Sequence, residues 1–205
     1  MDNINLKLNI SADKKISMAL MASFVILTLQ YFILIYFNLL DTSMANIVQL
    51  LSKVVVGIIF ISVFPLVFKR CRIEFITIYY IALLIFLLHY LIFFDNRIYL
   101  IQLLFPIFFM CLPAFLYSLC IRNIKVFKET MKQASILVFI IGTILGILIF
   151  SGKVSVGTYS MSLSYYMLLP TLIFLDELID RFSLKSLLIV LVSLLIILLF
   201  GSRGA

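Results

Sequence analysis

Tryptophan is absent from this chain, histidine occurs once, and only nine residues are acidic. The three cysteines, Cys71, Cys111 and Cys120, have no ligand spacing with His89, so no metal site is expected and they read as free apolar fillers. Gly-rich phosphate loops, dinucleotide fingerprints and nucleophile elbows are missing too, and no cofactor is implied. Charge is the scarcest commodity: Asp, Glu, Lys and Arg make up 12% of 205 residues, whereas 65% are hydrophobic, among them 20 Phe. Soluble domains carry about 25% charged residues. The solvent for most of this chain is therefore lipid. A net charge of +7 would point to nucleic acid if the cations formed one patch. They fall instead in short clusters between apolar runs, so membrane topology explains them and no nucleic-acid partner is expected.

What is present is a series of apolar runs near the length that a helix needs to cross about 30 Å of hydrocarbon, roughly 20 residues at about 1.5 Å each. The runs do not alternate polar with apolar residues, which excludes a β-barrel. The sequence thus predicts an all-α, polytopic helical membrane protein of about seven spans. Residues 1–17 form a polar N-terminal segment and 18–205 a single transmembrane domain. Spans are expected over 18–40, 47–68, 73–94, 98–120, 134–150 and 159–175, with a seventh from Ser186. The first is too long for the apolar part of a cleavable signal, which runs to about 15 residues. Residues 121–133 carry Arg122, Lys125, Lys128 and Lys132 at spacings of three and four, and predict an interfacial helix on the membrane surface. Residues 176–185 are expected as a charged return loop, with Asp176, Glu177 and Asp180 solvated or paired with Arg181 and Lys185. Gly142 and Gly146 predict a close helix approach within the chain. Pro65, Pro106, Pro113 and Pro170 all lie inside apolar runs, where membrane helices tolerate them as kinks.

Cations in short loops stay in the cytoplasm. With the N-terminus inside, the inner connections hold Lys7, Lys14, Lys15, Lys69, Arg70, Arg72, Arg122, Lys125, Lys128, Lys132, Arg181 and Lys185. The outer side holds only Lys53, Arg97, Lys153 and Arg203. The N-terminus is accordingly assigned to the cytoplasm and Arg203 to the opposite face. Lys53 and His89 then lie about five or six residues inside the outer ends of their spans, roughly 8 to 9 Å deep. Ionisable groups at that depth usually face a bundle interior or a wet cavity. Lys53, His89 and Arg203 are therefore candidates for one outer polar layer. The plainer alternative is that Lys53 reaches up to the interface and His89 packs among Tyr90 and Phe93.

The last six residues, Phe200-Gly201-Ser202-Arg203-Gly204-Ala205, and the segment Tyr159-Ser160-Met161-Ser162-Leu163-Ser164-Tyr165-Tyr166-Met167-Leu168-Leu169-Pro170 carry a family likeness. Together they resemble the bacterial O-antigen polymerase and O-antigen ligase family, which joins polyprenyl-linked sugar chains outside the cytoplasmic membrane. The resemblance implies a glycosyltransferase of capsule or lipopolysaccharide biosynthesis, multi-pass in the bacterial inner membrane, with a polyprenyl-diphosphate-linked glycan as partner alongside the bilayer. It also implies further spans and a large outer loop, so a chain that stops at Ala205 is expected to be the N-terminal part only and inactive alone.

Arginine's planar fork fits phosphate oxygens and lysine adds a point charge, which makes Arg203, Lys53 and His89 the candidate diphosphate-binding residues. Tyr159, Tyr165 and Tyr166 are candidate glycan contacts, with an interfacial aromatic belt as the alternative. No catalytic base is identified: Asp41, Asp95 and His89 are the outer candidates, and none sits in a recognisable motif. A transporter or flippase for a lipid-linked or amphipathic substrate, and a polytopic protein with no catalytic role, are the competing classes. Transport would be favoured by paired broken segments in two halves; no internal repeat is found.

Overall fold

The computed structural model describes residues 2–40, 42–154 and 161–201. Among them every regular element is helical. The elements are α1 (Asp2–Tyr36), α2 (Ser43–Arg70), α3 (Arg72–Ile92), α4 (Arg97–Phe105), α5 (Leu112–Leu119), α6 (Ile124–Phe150), α7 (Met161–Asp180) and α8 (Leu184–Gly201). A 3-10 turn, Phe94–Asn96, precedes α4, and a π-helical turn, Pro106–Cys111, joins α4 to α5 into one span. Six helical stretches are long and apolar enough to cross a membrane, and Leu184–Phe200 is a shorter apolar helix. The protein is an all-α polytopic membrane protein.

Local chemistry sets the ends of these helices. Asn38, at φ 52°, takes the left-handed conformation that closes α1, and Leu39 N–H donates back to Leu34 O at 2.8 Å. Asparagine tolerates that conformation where most residues do not. Arg97, at the start of α4, donates from Nε to Tyr90 O at 2.8 Å, and its guanidinium lies 3.8 Å from the Phe94 ring centroid. One cation thereby fixes the tight connection from α3 to α4.

The chain forms two compact units. The first comprises residues 1–20 and 60–127. Its buried side chains are Asp13, Ile16, Ser17, Ala19 and Leu20 of α1, Val63, Val67 and Cys71 around the end of α2, and Leu116, Tyr117 and Cys120 around the end of α5. In contrast, α3, α4 and the π-helical turn contain no buried residue. Two tyrosines supply polar contacts here. Tyr79 of α3 donates to Phe108 O in the π-helical turn at 2.8 Å, and Tyr117 donates to Phe60 O at 2.5 Å, next to Ile61, whose carbonyl loses its helical donor at Pro65. Proline removes a donor from the helical ladder, and in lipid no water is there to replace it.

The second unit comprises residues 21–59 and 128–205. Tyr31 and Ile35 of α1, Leu145 of α6, Leu163 and Met167 of α7 and Ile196 of α8 make one core cluster; Phe174, Ile189 and Val190 make another. Gly142 and Gly146 permit the approach that their spacing predicts. A Cβ on Gly142 would overlap Met167 Sδ, and one on Gly146 would sit 3.5 Å from Ile196 Cδ1. Small residues on α6 thus receive large ones from α7 and α8.

Two boundaries differ from the sequence expectation. Residues 124–133 are the first turns of α6 itself and do not form a separate surface helix. Likewise α7 runs on to Asp180, so the acidic trio is helical and the return between α7 and α8 is short. The two extended ends meet each other. Lys128 meets Asp176 at 2.7 Å and Lys132 meets Glu177 at 2.6 Å, so charges that read as loop stabilise paired helix ends.

Candidate functional site

The residues expected to share an outer layer are distributed as follows. Lys53 is exposed on α2 in the second unit and makes no ion pair among the described residues. Its neighbour Ser52 is buried, donating to the Gln30 side chain of α1 and to Gln49 O at 2.9 Å. One residue further on is about 100° round the helix, which turns Lys53 away from that contact. His89 belongs to the first unit, near the end of α3, where its exposed ring lies 4.6 Å from that of Phe93. Phe93 is one of the two residues named above in the packing alternative for histidine. Arg203 lies outside the described residues.

Of the candidate glycan contacts, Tyr159 also lies outside the described residues. Tyr165 is exposed, at 64%. Tyr166 is half-buried beside Tyr31, with ring centroids 5.9 Å apart, and packs on the cluster that joins α1, α6, α7 and α8. Neighbouring tyrosines therefore do different work: Tyr166 fills core and Tyr165 presents a ring outward.

Two apolar grooves lie between α6 and α8. One, of about 660 Å³, is lined by Gly146, Ile147 and Phe150 on α6 and by Ile196, Leu199 and Phe200 on α8, and it ends immediately before the Gly-Ser-Arg sequence. The other, of about 600 Å³, runs from Val192, shared with the first, to Lys185. Thr143 Oγ1, at the lining of the first groove, is buried without a hydrogen-bond partner. Along the grooves the walls are otherwise nearly all hydrocarbon, suited to a lipid tail or acyl chain and unsuited to a sugar.

The densest polar chemistry of the first unit is around Asp13. Asp13 is 1% exposed, and its Oδ1 accepts from Arg70 Nη1 at 2.5 Å and from the Arg122 backbone N–H at 3.2 Å. Arg70 also donates to Cys120 O at 3.3 Å. Beside them Cys71 and Cys120, expected as independent fillers, lie side by side with Cα atoms 6.1 Å apart. A carboxylate this deeply buried is tolerable because a guanidinium and an amide satisfy it. Nothing in the local sequence marks the cluster: its partners come from positions 13, 70 and 122, and no spacing rule joins them. The one available signal is an acidic residue at the start of an apolar run, which always needs a partner.

Lys128 lies in the basic stretch that precedes the apolar part of α6, and the Asp176 carboxylate, first by its hydrogen bond and then by its charge, raises its pKa. No group of three or more metal-ligating side chains occurs among the described residues. Comparison with protein-family models, with curated proteins and with solved structures finds no match.

Proposed function

We propose that this protein is a membrane polysaccharide polymerase, or less favourably an O-antigen ligase, that transfers polyprenyl-diphosphate-linked glycans at the outer face of the bacterial cytoplasmic membrane. The observation that carries the reading is the Gly201-Ser202-Arg203-Gly204-Ala205 sequence, which begins at the last residue of α8, at the end that the cation distribution assigns to the outside. The Tyr-Ser-Met-Ser segment leading into α7 supports polymerase over ligase. The apolar groove between α6 and α8, ending at Phe150 and Phe200, supplies a surface compatible with an isoprenoid chain whose headgroup sits at the motif.

Glycosyl transfer from such a donor breaks the bond between the sugar and its diphosphate while an acceptor hydroxyl attacks. Negative charge grows on the departing diphosphate. A guanidinium stabilises it with two parallel hydrogen bonds, which is the role given to Arg203, with Lys53 as a further cation. The acceptor proton needs a base, and none is assigned here.

The test uses the full-length protein in cells that depend on it for polymer. Arg203→Ala should abolish polymer at matched membrane abundance. Arg203→Lys should lower it by about tenfold or more, since a point charge loses the bidentate contact, and hydrogen bonds to charged groups are worth about 1.5 to 3 kcal/mol. Near-normal polymer from the lysine variant would overturn the diphosphate contact. An arginine that merely anchors α8 at the interface tolerates lysine, because both cations extend to water.

A further inference from the structure

We infer that the cytoplasmic end of the first unit is a docking surface for anionic phospholipid headgroups of the inner leaflet. The proposal stands apart from the polymerase reading, since it concerns the opposite face and different residues.

The buried Asp13 cluster is the starting point. By joining Asp13 to Arg70 and to the Arg122 amide, it gathers three segments that are far apart in sequence, 13–15, 69–72 and 122–125. Each segment brings exposed cations with it: Lys14 and Lys15, Lys69 and Arg72, Arg122 and Lys125. None of these six makes an ion pair among the described residues, although Arg72 also lies 5.8 Å from the Phe68 ring centroid. Asp13 is spent within the cluster. Glu74 and Glu129, the latter one turn along α6 from Lys125, are the exposed carboxylates described near these six cations in sequence.

Topology alone does not require this arrangement. A positive-inside signal needs cations in each cytoplasmic connection; it does not need them brought together, nor left without counter-charges. The second unit shows the other solution. There Lys128, Lys132, Arg181 and Lys185 are matched in number by Glu129, Asp176, Glu177 and Asp180, and two of the cations are paired directly. Both sets satisfy the orientation rule, and only the first leaves a concentrated, uncompensated positive field.

The chemistry of the partner follows from where that field lies. Lys69, Arg72, Arg122 and Lys125 sit at helix ends or in the turn between helices, and Lys14 and Lys15 follow the polar first turns of α1, just before its apolar run, so their nearest anions are the phosphates of the surrounding leaflet. Basic clusters of four to eight residues at the cytoplasmic end of membrane helices bind anionic lipid, each cation contributing about fivefold in affinity, and a headgroup with two phosphates engages more of the cluster at once. A diphosphate lipid such as cardiolipin is therefore preferred to phosphatidylglycerol, and both to zwitterionic phosphatidylcholine.

The test is native mass spectrometry of the purified full chain titrated with cardiolipin, phosphatidylglycerol or phosphatidylcholine. Cardiolipin should bind most tightly, and binding should weaken as ionic strength rises, because exposed charges are screened. A combined variant, Lys14→Gln, Lys15→Gln, Arg72→Gln and Lys125→Gln, leaves the buried cluster intact and should lower cardiolipin affinity on the order of 100-fold or more. The parallel variant Lys128→Gln and Lys132→Gln in the second unit should leave it unchanged within about twofold. Equal binding of phosphatidylcholine, or an undiminished cardiolipin affinity in the fourfold variant, would overturn the proposal. So would a loss of affinity in the second-unit variant that matches the loss in the first.

Discussion

In the second unit packing runs along the helices, from Tyr31 and Ile35 through Leu145, Leu163 and Met167 to Ile196; in the first it is concentrated at one end, around Asp13, Val67, Tyr117 and Cys120. The helices of the two units are similarly apolar. What separates them is the residue type at the contact. In lipid there is no hydrophobic drive to bring two leucine-rich helices together, so association relies on close van der Waals fit and on polar groups. The second unit uses fit, through Gly142 and Gly146. The first relies on hydrogen bonds: a buried ion pair at one end and tyrosine donors beneath proline and π-helical breaks. Along α3 and α4 neither device buries a side chain, and those helices remain open to lipid or to a further partner.

That contrast can be broken most severely at Asp13. Asp13→Ala strands Arg70 in a buried site and should cost about 3 to 5 kcal/mol, read as a lowered midpoint for unfolding in mixed detergent micelles. Adding Arg70→Met should recover most of the loss. Failure of that rescue would mean that the cluster does not depend on charge pairing.

A smaller effect is expected in the second unit from Gly142→Leu, which places a side chain where Met167 now lies and should cost about 1 to 3 kcal/mol by overpacking. Hydrogen exchange should quicken in α6 and α7 and stay unchanged over residues 72–119. Equal acceleration in both regions would show that the two kinds of packing are not separable. The smallest change is expected from Tyr79→Phe, which removes one hydrogen bond to Phe108 O and leaves the ring in place. A loss of about 0.6 kcal/mol, at most about 1.7, is the range for such bonds between membrane helices. The same measurement should show faster exchange confined to residues 106–113.

The spans were legible because a run of about 20 apolar residues has one physical solution in lipid, and the glycine spacing at 142 and 146 announced a close approach. The helix ends over 124–133 and 176–180 were not. Lys128 and Asp176 are 48 residues apart, and a cation reads the same whether it faces water or a carboxylate on another helix. Cys71 and Cys120 escaped for the same reason, being 49 positions apart with no local pattern. Among the candidate site residues, the depth argument placed Lys53 and His89 along their spans but had no means of saying which way each side chain turns; both are exposed. Tyr165 and Tyr166 show the limit plainly: two identical adjacent residues, one outward and one packed against Tyr31.

The Asp13 contact also has a temporal side. Its carboxylate accepts a hydrogen bond from a residue 109 positions later, so during synthesis it stays without that partner until α1 through α5 have left the ribosome. Until Arg70 arrives, an unpaired carboxylate is held out of hydrocarbon by its own hydration. The beginning of α1 is thereby tethered at the aqueous boundary while the next helices enter the membrane. Its closure is a late event, and one that registers whether the first four spans have been threaded in the correct sense: a helix inserted upside down would carry Arg70 or the 120–122 turn to the far side of the bilayer, out of reach of Asp13.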